Sequence, residues 1–293
     1  MKNWAWCVWF AVGLSQVSQP VLAQTKQATW YDHVAVQGVF RVFYAVQGEH
    51  AIPAEDGDAN GVPDRVDDVL VQLAAADWLF NTQLGLVPPL QQPRYARAKA
   101  IDVQIKRFEK GNGLAFDELS AAKPPTLVMR IGAHVDAKNN VTPAHELFHL
   151  YQYGYTSFKT KWFTEGMARW MEKPFTRRAN FGHPPAPASC QDLAGMAYNA
   201  SGFFEQLAVR QAPPAPGQAR LVDVPNFVYS DGSPAIRDRA VHKFLPARLW
   251  LDRAATLVAQ EAERLGLPHG TWPEDLQRNP QFDRPLCEAL TKP

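Results

Sequence analysis

The sequence predicts an α+β fold with an N-terminal mixed β-sheet lobe and a C-terminal mainly helical lobe. Three observations carry this reading. Strand-like runs occur only in the first half of the 293 residues. Two closely spaced helical patterns follow at 142–155 and 162–172. A longer amphipathic pattern then covers 239–265, with a break expected at Pro246.

The first 23 residues have the form of a secretory signal. Lys2 gives the positive start, 4–14 the apolar stretch, and Val21-Leu22-Ala23 a small-residue cleavage site. That stretch is too short to span a bilayer, and no later stretch is long or apolar enough. A secreted or periplasmic protein with no membrane span is expected. Residues 24–293 read as one domain, β-rich over 24–141 and helical over 142–293. A monomer is expected. With 30 basic and 29 acidic side chains, there is no electrostatic case for nucleic acid. Arg177-Arg178 is too short a basic cluster to change that. Pro-rich stretches at 184–187 and 213–216 read as loops. Cys7 leaves with the signal, so Cys190 and Cys287 remain as an even pair in an oxidising compartment and are predicted to be bridged. The alternative is two buried thiols. A ring of about 100 residues would stabilise the fold by up to about 4.7 kcal/mol.

Residues 39–46, 101–105 and 126–131 read as strands. Between the first two lies Asp56-Gly57-Asp58-Ala59-Asn60-Gly61-Val62-Pro63-Asp64-Arg65-Val66-Asp67. Oxygen donors fall at its positions 1, 3, 5, 9 and 12, Gly61 stands at the sharp turn, and the Val62 carbonyl is available at position 7. This is the calcium-loop pattern, with ligands expected from Asp56, Asp58, Asn60, Val62, Asp64 and Asp67. An ordinary Asx-rich turn is the competing reading. Val66, Val69, Leu70, Leu73, Phe80 and Leu84 then recur at helical spacing from about Asp67, and Gly85 suits the position just past a helix end.

The chemistry concentrates at His145-Glu146-Leu147-Phe148-His149. Thr142 is a suitable N-cap, and Pro143 suits the first helical position. At about 100° per residue, His149 falls about 40° from His145, so both imidazoles share one face and can hold one metal ion at about 2 Å. Glu146 lies about 100° round the axis, placed to hold a water rather than to share the ion. A lone buried histidine is usually structural, but two on one stripe with a flanking Glu favour zinc. A catalytic zinc takes three protein ligands. The metzincin spacing would need Gly and His at residues 152 and 155, which are Gln152 and Tyr155. Glu165, on the next helix, supplies the third donor instead. The first helix is expected to turn near Gly154, and Gly166 and Ala168 leave room for the second helix to approach. Glu172 lies about 20° from Glu165 in projection. It is either a partner for a ligand imidazole or a solvated surface charge.

His-Glu-x-x-His followed by Trp-x-x-Glu-Gly-x-Ala-x-x-x-Glu resembles the gluzincin metallopeptidases, the group of thermolysin and aminopeptidase N. The upstream Asp-rich loop is similar to that of secreted bacterial proteins of the gluzincin kind. The resemblance implies zinc on His145, His149 and Glu165, with Glu146 as general base. Tyr198-Asn199-Ala200-Ser201-Gly202 resembles the aminopeptidase Tyr-x-x-Gly helix start, with one extra residue. That implies Tyr198 as oxyanion donor, with Tyr229 and His242 as competitors. The Gly-x-Met-Glu-Asn element that grips a free amine is missing near Gly132-Ala133-His134-Val135-Asp136, which favours an endopeptidase. Gluzincins bind extended substrate along a sheet edge, for which 127–130 is the candidate, with an ordinary half-buried strand as the alternative. The expected function is a secreted zinc peptidase acting on peptide or protein substrates. The rivals are an inactive binding protein on the same scaffold and a hydrolase of a non-peptide amide.

Overall fold

The computed structural model describes residues 30–177, 184–211, 223–268 and 270–292. The signal segment 1–23 and the Pro-rich stretch 213–216 lie outside them. The fold is α+β, built on a five-stranded mixed sheet. β1 (His33–Gln37) and β2 (Phe40–Tyr44) form an antiparallel hairpin turned at Gly38, whose φ of +58° suits glycine. β3 (Ile101–Lys106), β4 (Gly113–Ala115) and β5 (Leu127–Gly132) complete the order β1-β2-β3-β5-β4. The three inner strands run parallel and both edge strands antiparallel. Register aligns Phe40, Ile101 and Leu127 in one row and Val42, Val103 and Met129 in the next. All six are buried on the face covered by the helices.

The three predicted strands correspond to β2, β3 and β5. The expectation of a substrate edge at 127–130 is overturned, because β5 is paired with β3 on one side and β4 on the other. The free edge belongs to β4.

α1 (Asp64–Asp77) starts earlier than expected, widens into π turns over Trp78–Gln83 and stops at Gly85, φ +68°. α2 (Thr142–Tyr155) carries the His-Glu-x-x-His run. Thr142 is not its cap but lies in its first turn. Asn140 Oδ1 accepts the Thr142 N–H at 2.9 Å and its hydroxyl at 2.6 Å. Nor does α2 turn at Gly154. A Cβ there would lie 2.5 Å from Gln92 Cγ, so the glycine makes room for that side chain. The helix ends at Thr156, which is extended. α3 (Lys161–Met171), α4 (Ser201–Gln211), α5 (Pro246–Leu265), α6 (Glu274–Gln277) and α7 (Asp283–Thr291) follow. Pro246 opens α5 after a 3-10 turn at Val241–Phe244, which is the expected break. Trp170 packs against Phe204, Phe244 and Trp250 where α3, α4 and α5 meet. Cys190 and Cys287 are bonded, tying the turn before α4 to α7. Nearly all the buried apolar residues form one continuous cluster. Among the described residues, no helix is long and apolar enough to cross a membrane.

Candidate metal centre

Backbone placement of α2 is secured by a buried amide from α1. Gln72 Nε2 donates to the carbonyls of Ala137 and Asn140 and to the Tyr229 hydroxyl, and its Oε1 accepts the Ala144 N–H at 3.1 Å. Ala144 has no earlier turn to bond to, so Gln72 satisfies a donor that the helix start leaves open. His145 follows directly.

Three donors converge where α2 meets α3. His145 Nε2 and His149 Nε2 are 3.1 Å apart, and Glu165 Oε2 lies 3.3 and 3.5 Å from them. A tetrahedral ion with bonds of about 2.0–2.1 Å requires donor separations of about 3.3 Å. The triangle has that size, so the donor set fits a small divalent ion and leaves its fourth position open.

The protonation pattern points the same way. His145 Nδ1 is 2.8 Å from Glu172 Oε2, and His149 Nδ1 is 2.8 Å from Gln152 Oε1. Each acceptor holds a proton on Nδ1 and leaves the Nε2 lone pair facing inward. Two lone pairs and a carboxylate oxygen then face one another at van der Waals distance or less, an arrangement that calls for a cation. In a cation's place the same acceptors draw a proton: burial disfavours a charged His145, yet the bonds to Glu165 and Glu172 outweigh it and push its pKa up to about 10. Burial likewise opposes ionised Glu165, but the two imidazoles hold it well below the usual carboxylate range. Glu172 is therefore the imidazole partner and not a solvated charge, being 3 % exposed and also held by Arg169.

Glu146 lines the cavity beside the donors, against Gly113 of β4. Burial raises its pKa, while His149, His145 and the Ala115 N–H of β4 work in the opposite direction. The Tyr198 ring lies 5.8 Å from that of His145, on the side of Glu165. Burial and the nearby Glu165 raise the phenol above its ordinary value. Gly166 explains this placement. A Cβ there would lie 2.7 Å from Ala200 Cβ and 3.2 Å from the Ala197 carbonyl, so the missing side chain seats the turn that carries Tyr198. Gly166 thus faces that turn rather than α2. A cavity of about 250 Å³ opens here, bounded by Asn112, Gly113, Thr142, Glu146, Arg169 and Tyr198. Tyr229 and His242 do not border it; Tyr229 is buried on Gln72.

Gln152, Arg169, Gly113 and Tyr153 belong to the site although no sequence motif marks them. The available signal for Gln152 is its place three residues after His149, and for Arg169 its place four after Glu165. Tyr153, four after His149, stacks on that imidazole at 5.8 Å and 11°.

The Asp-rich loop gathers part of its expected donors. Carboxylate oxygens of Asp56, Asp58 and Asp64 lie within 4.8 Å of one another. Asp56 accepts the Asn60 and Gly61 N–H groups at 3.1 and 2.9 Å, and Gly61 has φ +87°. Asn60 turns its amide nitrogen, not its oxygen, towards Asp58 and Asp67, at 3.2 and 2.9 Å. Its oxygen accepts the Val62 N–H at 2.7 Å. Burial and the neighbouring carboxylates raise the Asp67 pKa against the Asn60 bond.

The chain matches no family model, no curated protein and no solved structure.

Proposed function

We propose that the protein is a secreted zinc-dependent peptidase, cleaving within polypeptide chains. The observation that carries the reading is the triangle of His145, His149 and Glu165 with Glu146 at its side, above the free edge of β4. Zinc held there would supply Lewis-acid polarisation of a carbonyl and make a water molecule acidic near neutral pH. Glu146 would serve as the base that takes a proton from the water adding to the peptide carbonyl carbon. The same carboxyl group passes the proton to the nitrogen as the C–N bond breaks. Tyr198 donates to the oxygen that gains charge.

The edge strand supports a polypeptide substrate. Gly132 N donates to Asn112 O and Phe116 N to Val128 O, so residues 112 and 116 turn their polar groups into the sheet. Alternation leaves those of Gly113 and Ala115 facing outward, where an extended chain can add as a further strand. The Ala115 N–H is already occupied by Glu146. Secretion is supported by the disulfide, which persists in oxidising compartments. We further propose that the loop 56–67 holds calcium, with Asp56, Asp58 and Asp64 as its first ligands and Asn60 rotating to present its oxygen.

The test is Glu146→Gln with a broad peptide library. The variant keeps the fold and one bound zinc per chain while hydrolysis drops by about 10²–10⁴. Unchanged hydrolysis rejects Glu146 as the base. Zinc-loaded wild type that cleaves nothing in the library rejects the peptidase.

A further inference from the structure

The cavity beside the donor triangle has a polar wall. Among the described residues that border it, Val141 alone is aliphatic. Asn140 stands there in a fixed orientation. A backbone N–H can only donate, so the atom 2.9 Å from Thr142 N is the amide oxygen, which also accepts the Thr142 hydroxyl at 2.6 Å. The other end of the side chain, Nδ2, carries two protons and meets no acceptor among the described residues. Arg169 borders the same space from the last turn of α3 and holds one oxygen of Glu172. His145 Nδ1, at 2.8 Å, takes the other, so both oxygens of that acid are engaged. An apolar side chain placed here would strip water from a guanidinium and an amide and offer neither a partner. A carboxylate consists of acceptors alone and matches both. His145 and Glu146 lie on the same wall, so the occupant of the cavity sits beside the bond under attack.

We propose that this cavity is the subsite for a substrate carboxylate, recognised by Asn140 Nδ2 and the Arg169 guanidinium. On the peptidase reading, on which this rests, the substrate class narrows to polypeptides with a carboxylate next to the scissile bond. That group is either an Asp or Glu side chain or the end of the chain.

The kinetic arm uses C-terminally amidated peptides that carry either Glu or Gln at a residue flanking the cleaved bond. The Gln peptide is also made with a free carboxyl terminus. On wild type, kcat/KM is about 10–100-fold higher for a peptide bearing the carboxylate than for the amidated Gln peptide. Acceleration by the side chain assigns the source to Asp and Glu, and acceleration by the free terminus assigns it to the chain end. Asn140→Asp keeps an oxygen for both Thr142 bonds but replaces the NH2 group with an acceptor. The ratio therefore collapses while zinc stays at one per chain. Equal rates with and without a carboxylate overturn the subsite, and so does a ratio that survives Asn140→Asp.

The binding arm needs no turnover. Glutarate is titrated calorimetrically into zinc-loaded wild type and Asn140→Asp, and its Kd is about 10–100-fold higher in the variant. Equal Kd values overturn the subsite. If Asn140→Asp fails to fold, Arg169→Lys replaces it in both arms, keeping a charge for Glu172 while losing the planar fork. Wild type that cleaves no peptide counts against the peptidase reading alone, and glutarate still decides the subsite.

Discussion

Gly113 on β4 and Glu146 on α2 touch where glycine has no side chain: a Cβ at residue 113 would lie 2.6 Å from both Cγ and Oε1 of Glu146. It would also lie 2.6 Å from Thr142 Cγ2. Edge strand and carboxylate are therefore packed to the limit, and Gly113→Ala must push the Glu146 side chain aside. Because Glu146 is not among the three donors, zinc content stays at one per chain. A displacement of about 1 Å in a reacting group lowers kcat by about 100-fold. Metal analysis beside steady-state kinetics checks this, and full activity in the Gly113→Ala variant would refute the packing account.

Removal of the Gln152 amide acts on the other half of the site. Gln152→Ala leaves the His149 Nδ1 proton without its acceptor and frees the ring to turn. Zinc affinity falls by about 10–100-fold, read by competition with a chromogenic chelator, while Gln152→Glu, which keeps an acceptor, loses less.

Calcium binding at the Asp-rich loop has a thermal signature. At a hundred times its Kd the ion stabilises the fold by about 2.7 kcal/mol. For a domain of this size that raises Tm by roughly 5–10 °C over the value in a calcium chelator. Asp56→Asn with Asp58→Asn abolishes the difference. Equal Tm in calcium and in chelator would remove the ion from the account.

A buried ion pair behind α2 governs acid stability. Lys159 Nζ is 2.7 Å from Asp117 Oδ1, and Arg94 Nη2 is 2.6 Å from Asp117 Oδ2. Burial alone would raise the Asp117 pKa, but the bonds to Lys159 and Arg94 prevail and lower it. A carboxylate lowered in the folded state stabilises above its unfolded pKa of about 3.9 and loses that contribution as pH falls through the folded value. Wild type therefore loses this contribution only below about pH 4, and Asp117→Asn flattens the stability curve there. Lys159→Met, which leaves Asp117 with less compensation, costs about 3–5 kcal/mol at neutral pH by urea titration.

The legible parts of the sequence are those whose partners are close in the chain. Helical spacing alone brings His145 beside His149, and the position of Glu172, at the cap just past α3, follows from the same periodicity as that of Glu165. β4 is hidden because three residues, Gly113, Leu114 and Ala115, carry no alternation to read, and without β4 the edge falls to β5. β1 escapes notice because Val34 and Val36 are exposed, so its apolar pattern marks the outer face and not the core. Gly166 looks like a helix–helix contact because nothing local reveals that the turn at Ala197 and Ala200 comes to fill its notch. Asn60 counts as an oxygen donor by position alone, whereas its orientation depends on competing hydrogen bonds to Asp67 and Val62.

The Gln152 side chain also spans two helices. Its oxygen serves His149, and its nitrogen reaches the carbonyls of Phe163 and Thr164 at 3.3 and 3.2 Å, immediately before Glu165. One amide thus couples the spacing of α2 and α3 to the aim of an imidazole, and the donor triangle resists dilation. Parting the two helices would therefore also turn the His149 ring, so the separation of the donors and their aim cannot change independently.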